Sequence, residues 1–118
     1  MRRFRSLLFL SLVLLCSAMS GCLDTRVIQV TVTNTSNQKV SNIVIDYPEA
    51  TFGINFLEPG KTFQYKIKPT STGALKIEFL NAHAADRVSA GPVVHKNDEG
   101  SIEIKLTQDG AVAEAKLD

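Results

Sequence analysis

The 118-residue sequence has no tryptophan, two cysteines, four prolines and no excess of either charge: 13 Lys and Arg against 12 Asp and Glu leave a formal net charge of +1. Each shortage excludes something. A chain this short makes one domain of ordinary size, not a multidomain enzyme. A charge balance near zero supplies no basic face for nucleic acid. No serine stands in a G-x-S-x-G setting, and the glycines fall singly at turns, not in a phosphate-cradling loop. The apolar run over 7–16, broken by Ser11, is shorter than the roughly 20 residues that a membrane span needs.

That run has a basic start, with Arg2, Arg3 and Arg5, and small residues after it at Ser17, Ala18, Ser20 and Gly21. This is the layout of a secretory signal peptide, which is left out of fold reasoning. It closes on Met19-Ser20-Gly21-Cys22, which resembles the lipobox of bacterial lipoproteins. The resemblance implies cleavage between Gly21 and Cys22 and diacylglyceryl transfer to the Cys22 thiol, usually with N-acylation of the new terminus. A thiolate is the nucleophile such a transfer needs. Two or three acyl chains anchor a protein stably where one binds only marginally. Leu23, rather than Asp, at the second position after cleavage implies an outer-membrane destination if the host has two membranes. The expected organisation is therefore a signal peptide over 1–21, a lipidated cysteine and short tether over 22–25, and a domain over 26–118.

The mature chain has 97 residues, 118 less 21, and loses three arginines, so 10 basic residues face 12 acidic ones and its charge becomes −2. Cys16 leaves with the signal and Cys22 carries lipid, so no thiol remains for a disulfide or for cysteine chemistry. Stability must come from a hydrophobic core, and a chain of this size buries roughly two-thirds of its unfolded surface.

Period-two alternation recurs along the mature chain. Ile28, Val30 and Val32 alternate with Gln29, Thr31 and Thr33, which marks a half-buried strand. Ile43, Ile45 and Tyr47 share a face in a second strand over 40–47, and Pro48 ends it. Phe52, Ile54 and Phe56 form a third set, Phe63, Tyr65 and Ile67 a fourth, and Leu75, Ile77 and Phe79 a fifth. Glu58-Pro59-Gly60-Lys61 has the residues of a type II turn. Over 81–100 the pattern loosens, leaving 87–90 and 92–95 as short strands. Ile102, Ile104 and Leu106 then alternate, and Asp109-Gly110 signals a hairpin into 111–117, although Ala, Glu and Lys there favour helix.

Seven or eight short strands at this spacing predict an all-β fold, either a single antiparallel β-sandwich or a small barrel. The polar turn between the first two strands and the phrase Leu57-Glu58-Pro59-Gly60-Lys61-Thr62 resemble immunoglobulin-like bacterial modules over residues 26–80. The resemblance implies the sandwich, and it implies architecture only, since fold does not carry function.

Chemistry-bearing residues concentrate in the loose stretch. His83 precedes Asp86 by three residues, His95 precedes Asp98 by three, and Glu99 follows. Imidazoles and carboxylates are zinc ligands, so His83, Asp86, His95 and Asp98 are the candidates for a metal site. A polar loop accounts for the same residues without a metal, and no cofactor is expected. Asp98 and Glu99, adjacent in sequence, point apart on an extended chain and cannot form a glycosidase pair. Asn34-Thr35-Ser36 matches a glycosylation sequon, for which a turn is the simpler account. The aromatic residues Tyr47, Phe52, Phe56, Phe63, Tyr65 and Phe79 are expected in the core for the most part. Val44, Leu57, Leu80 and Val112 fit an inner face less well, and would mark a partner surface if exposed together. An edge strand would offer β-augmentation.

The sequence thus predicts a lipid-anchored cell-envelope protein that is not an enzyme and acts as a protein-binding or structural module. Its partners would be the membrane, through Cys22, and an envelope protein. The alternative is a periplasmic ligand- or metal-binding module using His83–Glu99.

Overall fold

Alternation places Ile28, Val30 and Val32 of the first strand, β1 (Ile28–Asn34), fully out of solvent, with Gln29, Thr31 and Thr33 between them half-exposed. The same period builds β2 (Val40–Tyr47), β3 (Ala50–Leu57), β4 (Thr62–Ile67), β5 (Gly73–Leu80), β6 (Asp86–Val94), β7 (Gly100–Leu106) and β8 (Ala111–Leu117). The structure is a computed structural model describing residues 26–118. The expected signal peptide, its cleavage site at Gly21 and Cys22, and Cys22 lipidation lie outside the described residues.

The strands form two four-stranded sheets, ordered β4-β1-β7-β8 and β3-β2-β5-β6. Their apolar faces pack together, as expected for a β-sandwich. Ile28, Val30, Val32, Ile67, Ile102, Ile104 and Leu106 meet Val40, Ile43, Ile45, Leu75, Ile77, Phe79 and Val94 across the interface. One pairing departs from a purely antiparallel design: β1 and β7 run parallel, in register from Ile28 opposite Gly100 to Asn34 opposite Leu106. Both strands rise from the same pole, and the five strands between them supply the crossover that a parallel pair needs.

Two local departures from strict alternation correct the expected faces. In β2, Asn42 adopts a φ of 49°, and the register against β5 shifts between Ser41 and Val44, as a β-bulge requires. Two consecutive residues, Ser41 and Asn42, face away from the core, as do Phe56 and Asn55 across from them on β3. Leu57 therefore enters the core and Phe56 leaves it, the reverse of what alternation from Phe52 predicts. In β6 the two expected short strands are one, with an extra residue near Gly91-Pro92 opposite Ala74 and Lys76 of β5. A Cβ on Gly91 would stand 2.8 Å from the Leu75 Cβ, so this close approach admits only glycine.

The turn residues behave less uniformly. At Glu58–Lys61 the expected type II turn forms: Gly60 has a φ of 76° and the Lys61 N–H donates to the Glu58 carbonyl at 3.1 Å. At Asp109-Gly110 the hairpin forms, but neither residue has a positive φ. The Thr107 hydroxyl holds the loop instead, donating to the Gly110 carbonyl at 2.9 Å and accepting from the Gly110 N–H at 3.2 Å.

Asn34 ends β1 and is completely buried. Its amide nitrogen donates to the carbonyls of Gln38 at 2.8 Å and Leu57 at 2.9 Å. Its amide oxygen accepts from the Ser36 N–H at 3.0 Å and the Ser36 hydroxyl at 2.6 Å. The sequon asparagine is thus a structural residue in a turn. Asn34→Ala would take the side-chain donor from the buried Leu57 carbonyl and leave the Gln38 carbonyl to the Ser36 hydroxyl, 2.8 Å away, at a cost of about 1–3 kcal/mol. Asn34→Asp should destabilise as well, since a carboxylate accepts but cannot donate. Chemical denaturation of both variants checks this: an unchanged midpoint would mean that water replaces the lost donors.

Candidate functional site

The residues singled out as metal candidates fall at opposite poles. His83 lies in the loop between β5 and β6 and Asp86 begins β6, whereas His95 and Asp98 lie in the loop after β6. A strand of nine residues separates the two pairs, a span of roughly 30 Å. Among the described residues, no group of three or more His, Cys, Asp or Glu is placed to hold a metal ion. The three-residue spacings have local explanations. Asp98 accepts the His95 backbone N–H at 2.8 Å, its carboxylate lies 3.4 Å from the His95 Nδ1, and the Asp98 N–H donates back to the His95 carbonyl at 3.1 Å. This is an aspartate-closed turn. At the other pole the buried Asn81, not Asp86, organises the loop, its side-chain oxygen accepting the N–H groups of His83 at 2.9 Å and Ala85 at 3.1 Å. His83 is exposed there, as are Lys96 and Glu99 at the far pole.

The two lateral sides of the sandwich differ. On one, β6 and β8 approach each other and polar groups tie the sheets together. The Ala111 N–H donates to the Ser89 hydroxyl at 3.0 Å, and the Arg87 Nε to the Gln108 carbonyl at 3.1 Å. The Asn81 amide reaches the same carbonyl at 3.0 Å. On the other side lie β3 and β4, each paired along one edge only among the described residues.

Aromatic rings fill that second side. Phe52 of β3 stacks on Tyr65 of β4 with centroids 4.3 Å apart, and lies 6.5 Å from both Phe63 and Tyr47. Phe52 is buried, Tyr47 and Phe63 are half-buried, and Tyr65 is 40% exposed. The expected aromatic residues thus split three ways. Phe79 sits in the core, four rings close the β3–β4 side, and Phe56 stands 53% exposed with the Lys39 ammonium 5.2 Å from its centroid.

The four apolar residues that fit the inner face poorly do not form one surface. Leu57 is buried, Val44 and Leu80 are half-buried on the outside of the β3-β2-β5-β6 sheet, and the exposed Val112 is on the outside of the opposite sheet. Phe56 and Val88 join Val44 and Leu80 on their face, but Lys76 interrupts it, 2.8 Å from Glu78 and 3.8 Å from Asp46. These two carboxylates, Glu78 foremost, raise the Lys76 pKa above 10.5.

Burial raises the Tyr47 hydroxyl above its ordinary pKa of 10.0, and the nearby Tyr65 adds to the shift. Below pH 10.0 both folded and unfolded chains keep this proton. As pH rises further the unfolded chain loses it first, so stability falls through the folded pKa. Lys76 weakens the fold in the same direction above 10.5. Tyr47→Phe should therefore flatten the alkaline loss of stability and leave the Lys76 part in place. Thermal melts from pH 9 to 11 (on the order of the unperturbed tyrosine and lysine values) measure this, and equal slopes in both proteins would refute it.

No family model and no curated protein matches this chain. Among solved structures it is similar to an NMR structure of a protein from Eubacterium rectale, at a TM-score of 0.56 and 10% identity, over 77% of this chain and 89% of that one. At that identity the likeness shows a shared β-sandwich fold.

Proposed function

We propose that the chain is a lipid-anchored cell-envelope protein, a non-enzymatic module that binds another protein chain or supports an envelope assembly. Lipid on Cys22 would hold it to a membrane, the outer one in a host with two. The lipobox residues Met19-Ser20-Gly21-Cys22 support the anchor. Only residues 23–27 separate Cys22 from β1, so the domain would sit within about 20 Å of its anchor. The observation that carries the binding half of the reading is the β3–β4 side, where two strand edges left unpaired among the described residues flank half-exposed aromatic rings. Strand edges supply backbone hydrogen bonds and aromatic rings supply contact area, the two ingredients of chain-to-chain recognition.

Metabolic labelling with a fatty acid, followed by in-cell crosslinking and mass spectrometry of the captured proteins, tests the reading against a Cys22→Ser variant. The wild-type chain should take up label at Cys22, remain in the membrane fraction and bring down a dominant crosslinked protein. Cys22→Ser should lose the label and the membrane association together. An unlabelled wild-type chain would overturn the anchor, and recovery of the labelled chain with nothing crosslinked would overturn the binding role.

A further inference from the structure

Of the four edge strands, three carry features that discourage pairing with another chain. β4 has Lys66, β8 has Glu114 and Lys116, and β6 has Asp86, Arg87, Pro92 and a bulge. β3, Ala50–Leu57, has no charged residue and no proline, and its pairing with β2 keeps one register from end to end. At its middle is Gly53, which faces the outside of the sheet. Among the described residues, a Cβ there would meet the Ile43 carbonyl oxygen alone, at an ordinary 3.6 Å, and the φ of Gly53 is not positive. No contact among the described residues requires this glycine, and close approach by another backbone is one of the things a glycine within a strand marks.

We infer that β3 pairs with the β3 of a second copy, antiparallel about a two-fold axis through Gly53, joining the two β3-β2-β5-β6 sheets into one. A two-fold axis brings the same stretch of chain against itself, so a single charge near the axis would meet its own sign. β3 is the edge strand without one. Pairing about Gly53 sets Phe52 opposite Ile54 of the other copy on the inner face and Thr51 opposite its Asn55 on the outer face, apolar with apolar and polar with polar. It also covers the side where Tyr65 is 40% exposed. Because the axis is perpendicular to the sheets, both copies of β1 begin at the same height above a membrane lying along the sheets. Two Cys22 anchors can then enter one leaflet. The inference rests on the reading of the β3–β4 side as a protein-binding surface and specifies its occupant.

The test uses the full-length chain in its own membranes, in both the wild-type and the Cys22→Ser background. Antiparallel partners stand roughly 4.5–5.5 Å apart at Cα, within disulfide reach, so Gly53→Cys should give a linked homodimer on mild oxidation. Glu114→Cys, on β8, should not. Thr51→Cys co-expressed with Asn55→Cys should link in the mixed pair, which keeps the test available if Gly53→Cys fails to fold. Gly53→Lys, placing two ammonium groups face to face, should reduce the dimer at least tenfold by light scattering in detergent while the melting transition stays in place. A Gly53→Cys chain that reacts with maleimide yet stays monomeric would overturn the inference, as would equal linking at Glu114→Cys. A link to a different protein would overturn the second copy while leaving the protein-binding reading standing. Absence of fatty-acid label from the chain that keeps Cys22, with linking intact, would overturn the anchor alone.

Discussion

At the end of β1 the side chain of Asn34 has every hydrogen-bonding position occupied inside the protein, two donated and two accepted. A buried amide with unmet positions would be costly, so this geometry holds only when its partners are all in place. Those partners belong to different parts of the chain: the β1–β2 turn and the last residue of β3. The backbone of the same residue extends the junction. Its N–H donates to the Lys61 carbonyl at 3.0 Å, and its carbonyl accepts from Gly60 at 2.8 Å. Thr35, next in line, donates to Leu106 at the end of β7. One pole of the sandwich is thereby tied together, and the crossing of the chain from β3 in one sheet to β4 in the other is set by it.

Below that pole the two sides diverge in chemistry. Where β6 meets β8, the inward residues Arg87 and Ser89 are polar because they are spent on bonds to the β7–β8 loop and the start of β8. Gly110 allows that approach, since a Cβ there would stand 3.1 Å from the Ser89 hydroxyl. Where β3 meets β4, stacked rings fill the space between the sheets. Rings bury area without fixing a backbone partner. The closed side therefore resists a further strand, and the open side offers backbone groups beside apolar surface. The proposed role and the proposed pairing both follow from this asymmetry.

Much of the fold was legible because a core with two sheets imposes a period of two on every strand that faces it. β1, β4, β5 and β7 followed that period, and Pro48, Glu58–Lys61 and Asn97–Gly100 marked breaks between strands. The misreadings have specific physical causes. Asn42 at a positive φ shifts the phase of β2 and of β3 beside it, which exchanges the expected places of Phe56 and Leu57. In β6 the inward positions carry polar residues serving the opposite sheet, and the bulge at Gly91-Pro92 shifts the phase again. The strand consequently had no apolar stripe to read. The candidate site was less legible. His83 and His95 are close in sequence, but an intervening strand carries them to opposite poles. The aromatic cluster joins rings from β2, β3 and β4, and membership depends on which strands become edges.

By itself the sequence determined a small all-β domain with a hydrophobic core, no cysteine beyond Cys22, and strands bounded by identifiable turn residues. Periodicity, turn chemistry and composition act over a few residues, so they can be read without knowing the remainder of the chain. Only the tertiary structure decided the strand order, the parallel pairing of β1 with β7, the closed side and the open one, and the isolation of β3 as an uncharged edge. These depend on which distant segments meet. Strand pairing through backbone groups is the same chemistry for almost any residues, so it leaves little trace in the sequence of either partner.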